Sequence, residues 1–170
     1  MSYDLNILCI KQKEVSLSLP EEIRIYAKPK KLRRNRDSEI YNKYFSCRDA
    51  LDGTWYYLME NEDEISSFEL CDIKTMEDEY VEKLYPFWYK KEDDIDVSIF
   101  SLREEYKKDV LATMHFFIKQ SPVNSILFHS RYQTFEVEPE FIYGVLTFQR
   151  FSKLLEADRI LFNTCYIIRD

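Results

Sequence analysis

Hydrophobic residues near the start of the chain recur at every second position, which is the period of a β-strand with one buried face. Two segments show this alternation, the first imperfectly and the second cleanly: Leu5, Ile7 and Cys9, then Val15, Leu17 and Leu19. Pro20 ends the second segment, and residues 21–27 can continue in extended form. The pattern predicts two early strands and a third extended stretch.

The clearest element is a helix from about Leu102 to Gln120, because apolar residues recur there at spacings of three and four. The apolar stripe contains Leu102, Tyr106, Val110, Met114, Phe117 and Ile118. Ser101 followed by Glu104 matches a capping box, and Pro122 closes the segment. The spacing therefore predicts a long amphipathic helix with one face on the core.

The remaining segments predict a sheet and a second helix. Asp52-Gly53 is typical of a tight turn, because glycine accepts a positive φ, and it precedes a predicted strand over 54–59 with a hairpin partner over 65–71. Further predictions are a short helix over 39–45, a strand over 124–132, a second helix over about 147–157 and a strand over 159–168, which is apolar enough to be central. The predicted fold class is α+β, with a mixed or antiparallel sheet packed against a long helix (about 102–120) and a second helix (about 147–157).

Length and composition fit one globular domain spanning residues 1–170, with 45% hydrophobic and 32% charged residues. Glycine occurs only at Gly53 and Gly144, which argues against glycine-rich nucleotide-binding loops. The start at Met1 has no basic segment before an apolar one, and no apolar run approaches the roughly 18 residues of a membrane span. We therefore expect a cytoplasmic protein without a membrane partner.

The cysteines are expected to be reduced and mostly buried, because they are far apart and no pair has the C-x-x-C spacing of a zinc or redox site. They are Cys9, Cys47, Cys71 and Cys165. The only histidines, His115 and His129, lie on separate predicted elements, which disfavours a two-histidine metal site. We expect no metal and no cofactor, and we interpret the acidic turns as solvated surface rather than cation sites.

No hydrolase, zinc-protease or nucleotide-binding motif occurs in the sequence. Cys165 and His129 could form a nucleophile and base pair if their strands were neighbours. A small enzyme of unrecognised type would use these two residues with Glu136 or Glu138. We expect no catalytic residues, and the enzyme hypothesis stays open as the alternative.

The net charge of −7 is unevenly distributed. Residues 51–110 carry seven Lys or Arg against eighteen Asp or Glu, whereas residues 1–50 carry eleven against seven. The basic run over 28–36 could contact phosphates, but a pI near 5.0 and an acidic middle third would repel a polyanion. Nucleic-acid binding is therefore the less favoured interpretation of this run.

Aromatic residues precede two of the acidic clusters, and this arrangement predicts an interface for a basic protein partner. Trp and Tyr are common interface anchors, and a negative field speeds association with a cationic surface. The competing interpretation is core aromatics beside ordinary polar turns. The predicted partner-binding residues are Trp55, Tyr57, Glu60, Glu62, Asp63, Glu64, Trp88, Tyr89, Asp93, Asp94 and Asp96.

The block from Gly144 to Ile168, GVLTFQRFSKLLEADRILFNTCYII, together with a small acidic α+β chain, resembles the bacterial immunity proteins of polymorphic or contact-dependent toxin systems. Such proteins share no catalytic motif, so the resemblance assigns no residue a role. It implies a partner, a toxin domain that is often a nuclease with a cationic active site. The function expected is a non-enzymatic immunity protein or antitoxin; the alternatives are the small enzyme and a self-associating adaptor.

Overall fold

The computed structural model describes residues 2–14, 18–30, 51–62, 74–75, 98–133, 141–162 and 164–170. A six-stranded sheet contains β1 (Ser2–Ile10), β2 (Tyr26–Pro29), β3 (Gly53–Met59), β6 (Ser125–Gln133), β7 (Phe141–Thr147) and β9 (Thr164–Arg169). A smaller sheet contains β4 (Lys74–Thr75), β5 (Ser98–Phe100) and β8 (Ile160–Leu161). The described helices are α1 (Glu104–Gln120) and α2 (Phe148–Glu156).

The larger sheet is mixed, with the strand order β2-β3-β1-β6-β9-β7. Neighbouring strands pair antiparallel except β7 and β9, which are parallel and connected through α2. The predicted α+β class, with a mixed sheet packed against a long and a short helix, is confirmed. β9 lies between β6 and β7, in the interior of the sheet as expected of so apolar a segment.

Both faces of the sheet bury apolar side chains, which explains the imperfect alternation in β1. Ile7 and Cys9 point to the face that α1 and α2 cover, whereas Leu8 and Ile10 belong to a second cluster with Trp55 on the opposite face. We call these the helix-covered face and, because neither described helix contributes to its cluster, the helix-free face. A strand buried on both sides loses the strict apolar–polar period of a half-exposed strand.

Helix α1 is confirmed over nearly its predicted range, but the predicted capping box is wrong. The N-cap residue is Arg103, which makes no side-chain capping bond. The Ser101 hydroxyl instead donates to Asp158 Oδ1 at 2.9 Å, and Lys107 Nζ lies 3.1 Å from the same oxygen. Ser101 therefore fixes the start of α1 through a tertiary contact beyond the end of α2.

Other predictions have mixed outcomes. The strands over 54–59 and 124–132 and the second helix are confirmed, with the Thr147 hydroxyl capping α2 by accepting from Arg150 N. The segment over 159–168 contains two strands, β8 and β9, and β7 was not predicted. Leu19 lies outside any strand, while Val15, Leu17 and the elements predicted over 39–45 and 65–71 fall outside the described residues.

Candidate functional site

The described part of the predicted interface is carried by β3, whose start is fixed by a close backbone approach. Gly53 has a φ of +154°, and a Cβ built there would lie 2.3 Å from Cys9 O. Only glycine permits this approach and this φ. Lys11 N donates to Asp52 O at 2.8 Å next to it. These contacts hold the start of β3 against the end of β1. The opposite end of β3 leads into Glu60 and Glu62.

Trp55 is a core residue in this structure. It is 6% exposed and packs with Leu8 and Leu127 on the helix-free face. Its ring meets His129 edge-on, with 6.5 Å between ring centroids. A partner could reach Trp55 only after this cluster had opened, so its placement favours the core interpretation.

Tyr57 is half-buried beneath a lysine on the same face. Lys30 Nζ lies 5.2 Å from the Tyr57 ring centroid, 3.3 Å from Asp4 Oδ2 and 3.2 Å from Asn6 Oδ1. Lys28 Nζ, in β2, donates to the backbone oxygen of Glu62. The first two cations of the basic run 28–36 are thus engaged within the chain; the other four lie outside the described residues.

The end of β3 meets the start of α1 and forms an acidic surface. Glu60, half-buried, and Glu62, exposed, follow β3, while two exposed carboxylates occupy the first turn of α1, where the helix dipole favours negative charge. The half-buried Tyr106 connects the two groups, because its side chain is hydrogen-bonded to that of Glu60 and lies within the electrostatic field of Glu105. We call this surface the acidic corner; it consists of Glu60, Glu62, Glu105 and Tyr106.

The surroundings of Tyr106 in the acidic corner raise the pKa of its hydroxyl. Burial raises the pKa of the Tyr106 hydroxyl above its ordinary value, and the negative charges of Glu60 and Glu105 raise it further. The side-chain hydrogen bond between Glu60 and Tyr106 acts in the same direction, because it favours the protonated phenol. Tyr106 is therefore a neutral hydrogen-bond donor held among carboxylates at neutral pH.

Cations border the acidic corner without covering it. Arg24 Nε pairs with Asp109 at 3.1 Å, Arg103 lies 3.8 Å from Glu105, and Lys107 lies 2.5 Å from Glu104. Within the described part of the chain, Glu62 has no ion pair. The surface can still attract an external cation, since Glu62 and the 59% exposed Glu105 side chain are open to solvent.

Of the predicted partner-binding residues, the structure places Trp55, Tyr57, Glu60 and Glu62. Sequence reasoning missed Glu105 and Tyr106, which belong to a helix more than 40 residues further along the chain. Their acidic first turn was visible in the sequence, but its contact with β3 was not. The remaining predicted residues, which lie outside the described residues, are Asp63, Glu64, Trp88, Tyr89, Asp93, Asp94 and Asp96.

The candidate nucleophile and base do lie on neighbouring strands. His129 is the direct register partner of Cys165 on one side and of Asn6 on the other. All three are at most 2% exposed, and Cys165 is disulfide-bonded. The expectation of four reduced cysteines is therefore wrong for Cys165, while Cys9 is a free thiol. Glu136 and Glu138 lie outside the described residues.

Among the described residues, no three His, Cys, Asp or Glu side chains are grouped so as to hold a metal ion. No helix in the same ranges has both the length and the apolar character needed to cross a membrane.

Comparison with known proteins finds no matching family, no matching characterised protein and no matching solved structure.

Proposed function

We propose that this chain is a non-enzymatic binding protein of the bacterial cytoplasm, an immunity protein or antitoxin that neutralises a cognate toxin domain. The observation that carries the proposal is the acidic corner, where Glu60 at the end of β3 meets Tyr106 in the first turn of α1. The partner is a protein with a basic face, as the active sites of nucleases have. The resemblance of the block from Gly144 to Ile168 to immunity proteins points to the same class.

Electrostatic attraction gives this surface a kinetic role. Complementary charge raises the rate of encounter by about 10 to 10³-fold at low salt, and the gain falls as ionic strength rises. The acidic corner lies within residues 51–110, which carry the excess of negative charge. A toxin is neutralised only if it is captured before it acts, so a fast, steered association suits this function.

The test takes the protein encoded by the adjacent gene as the candidate toxin and measures its rate of association with this chain by stopped flow over a range of salt concentrations. Glu62→Lys with Glu105→Lys reverses two exposed charges of the acidic corner. We expect association to slow at least about tenfold at low salt, with the difference vanishing at high salt.

A matched control makes the same charge change at the opposite end of β3. Glu14→Lys with Asp52→Lys alters two exposed carboxylates about 20 Å away along the strand. Its association rate should stay within about twofold of wild type. Equal rates for both double variants would overturn the acidic corner as the docking surface, and a metabolic operon around the gene would count against an immunity function.

The enzyme alternative draws on the register pair of His129 and Cys165. A cysteine nucleophile must be a reachable thiolate, and the burial and disulfide of Cys165 oppose both requirements. Loss of the protein's biological effect in Cys165→Ala, with toxin binding intact, would favour the enzyme over the inhibitor.

A further inference from the structure

The two edges of the six-stranded sheet are built differently. Edge strands expose unpaired N–H and C=O groups, and proteins protect them with short length, lysine and proline. β2 has all three features: it is four residues long and contains Lys28 and Pro29. β7 is seven residues long and has no charged residue and no proline. A bulge between Ile142 and Gly144 leaves a regular run over 144–147.

Among the described strands β7 has a neighbour on one side only, and it carries an apolar side chain at its centre. Val145 is 56% exposed, the highest value among the exposed large hydrophobic residues of the described chain. It is the register partner of Ile167, which packs on the helix-free face, while its neighbour Leu146 is buried on the helix-covered face. No described strand pairs with the outer side of β7.

Helix α2 continues this surface above the edge. Phe148 contacts His115 of α1 on the inner side of the helix. The side of α2 away from Phe148 carries Arg150, Lys153 and Leu154, and the C-cap residue Ala157 follows at helical spacing. Leu154 is half-buried and the other three are exposed. The outer side of α2 therefore presents a small apolar centre beside two cations.

We propose that β7 is the pairing edge of a homodimer, in which a second copy adds its own β7 antiparallel across a two-fold axis at Val145. The two sheets then form one continuous sheet, with both α2 helices on the same face. The strand that pairs with β7 comes from a second copy of the chain, because the β7 edge is complementary to its own two-fold image. In this register the two Val145 side chains face each other, and Gly144 faces Leu146 of the second copy on the helix-covered face.

The spacing of the helices supports the same arrangement. Helix α2 packs on both β7 and β9, so its axis lies over the space between them. Strands are about 4.8 Å apart, which puts the two α2 axes about 10 Å apart across the new strand pair, at the separation of packed helices. The pairing of strands thus brings two helices into contact without deforming either copy.

The heights of the side chains along the β7 strand axis also fit this dimer. Because β7 and β9 are parallel, α2 runs back along β7. The strand rises about 7 Å from Val145 to Thr147 and the helix descends about 9 Å from Phe148 to Leu154. Leu154 therefore lies near the level of Val145 and meets Leu154 of the second copy, while Arg150 lies opposite Ala157.

The dimer edge is separate from the acidic corner. β3 and β7 are four strand spacings apart in the sheet, about 19 Å. Both acidic corners of the dimer stay open, and the outer end of α2 has a basic residue, Arg150, that would not attract a cationic toxin. This inference therefore goes beyond the proposed function and can fail independently of it.

The test is light scattering and sedimentation of the full chain at roughly 1 to 100 μM, the range for a modest interface. Wild type should approach twice the 20.7 kDa chain mass as concentration rises. Val145→Lys places two like charges directly opposite each other, so the dimer dissociation constant should rise at least about tenfold. Circular dichroism should stay as in wild type, because Val145 is mostly exposed in the single chain, and thermal melting should match wild type at concentrations where both are monomeric.

Val123→Lys is the matched control, since Val123 is 41% exposed in the turn after α1, away from β7. It should dimerise as wild type does. A wild-type chain that is monomeric throughout the range would overturn the proposal, and so would a dimer that Val145→Lys leaves intact. Association of Val145→Lys with the toxin should be unchanged, which separates this result from the test of the acidic corner.

Discussion

The two faces of the six-stranded sheet come from the same strands but have different chemistry. On the helix-covered face, α1 and α2 close a continuous apolar layer that includes Phe128 and Ile168. On the helix-free face, an apolar centre is flanked by polar side chains such as Asn6 and His129, which are also buried. The comparison teaches that the period of a strand selects a face, while the covering layer decides what that face can hold.

Each face also holds a cysteine, in a different state. On the helix-covered face, the Cys9 thiol donates to Phe117 O, and burial raises its pKa to about 12. The thiol is therefore protonated and unreactive at neutral pH. On the helix-free face, Cys165 is disulfide-bonded. The same residue type fills space on one face and forms a cross-link on the other.

Two lysines, Lys107 and Lys30, also differ in how deeply they are buried. Lys107 is 5% exposed at the junction of the helices, bonded to Glu104, Asp158 and the backbone oxygen of Glu156. Lys30 on the helix-free face has 29% of its side chain exposed. The partners are placed the other way round: the Glu104 and Asp158 side chains beside Lys107 are 86% and 25% exposed, whereas the Asp4 side chain beside Lys30 is 6% exposed.

The largest change in the free energy of unfolding is expected when one of two neighbouring isoleucines is replaced by alanine. Ile168→Ala leaves a cavity in the fully buried helix-covered layer and should lower the free energy of unfolding by about 4 kcal/mol. Ile167→Ala, which removes a half-buried side chain on the helix-free face, should cost about 1 kcal/mol. Urea denaturation of both variants measures the difference. Equal costs would mean that the two faces are equally packed.

The next largest change in the free energy of unfolding is expected when the disulfide of Cys165 is reduced. A reductant should lower the free energy of unfolding of wild type by about 3 kcal/mol, because the cross-link restricts the unfolded chain. Denaturation with and without reductant measures this. Cys165→Ala should be insensitive to the reductant and Cys9→Ala should respond as wild type does. A wild-type curve that ignores the reductant would contradict a stabilising cross-link.

The smallest effect concerns Lys107. Burial alone would lower its pKa, but the hydrogen bonds and charges of Glu104 and Asp158 outweigh burial, so the pKa is raised above 10.5. The charged lysine therefore stabilises the fold below pH 10.5, and this contribution is lost as the pH rises through the raised value. Lys107→Met should cost about 2 kcal/mol at pH 8.

The pH series gives the readout for this last variant. Free energies of unfolding measured from pH 8 to pH 12 should converge for wild type and Lys107→Met at the alkaline end. Lys108→Met, an exposed neighbour, is the control and should follow wild type. A constant gap between wild type and Lys107→Met across the range would show that packing, not charge, accounts for the loss.

Local patterns predicted several elements correctly. The stripe from Leu102 to Ile118 predicted α1, because an amphipathic helix repeats every 3.6 residues whatever it packs against. The two-residue period predicted β1, and the apolar segment before the C-terminus predicted β9. β7 was missed because Gly144 and the bulge after Ile142 interrupt its alternation.

The α+β class, the long helix and the uneven charge could be predicted from the sequence, because composition and period are local properties. Folding in three dimensions decided that Trp55 is buried and that Ser101 bonds to Asp158 instead of capping α1. It also decided that Glu60 meets Tyr106 and that His129 faces Cys165. Each of these contacts joins residues at least 36 positions apart, and such pairings depend on strand order and helix placement, which no local period encodes.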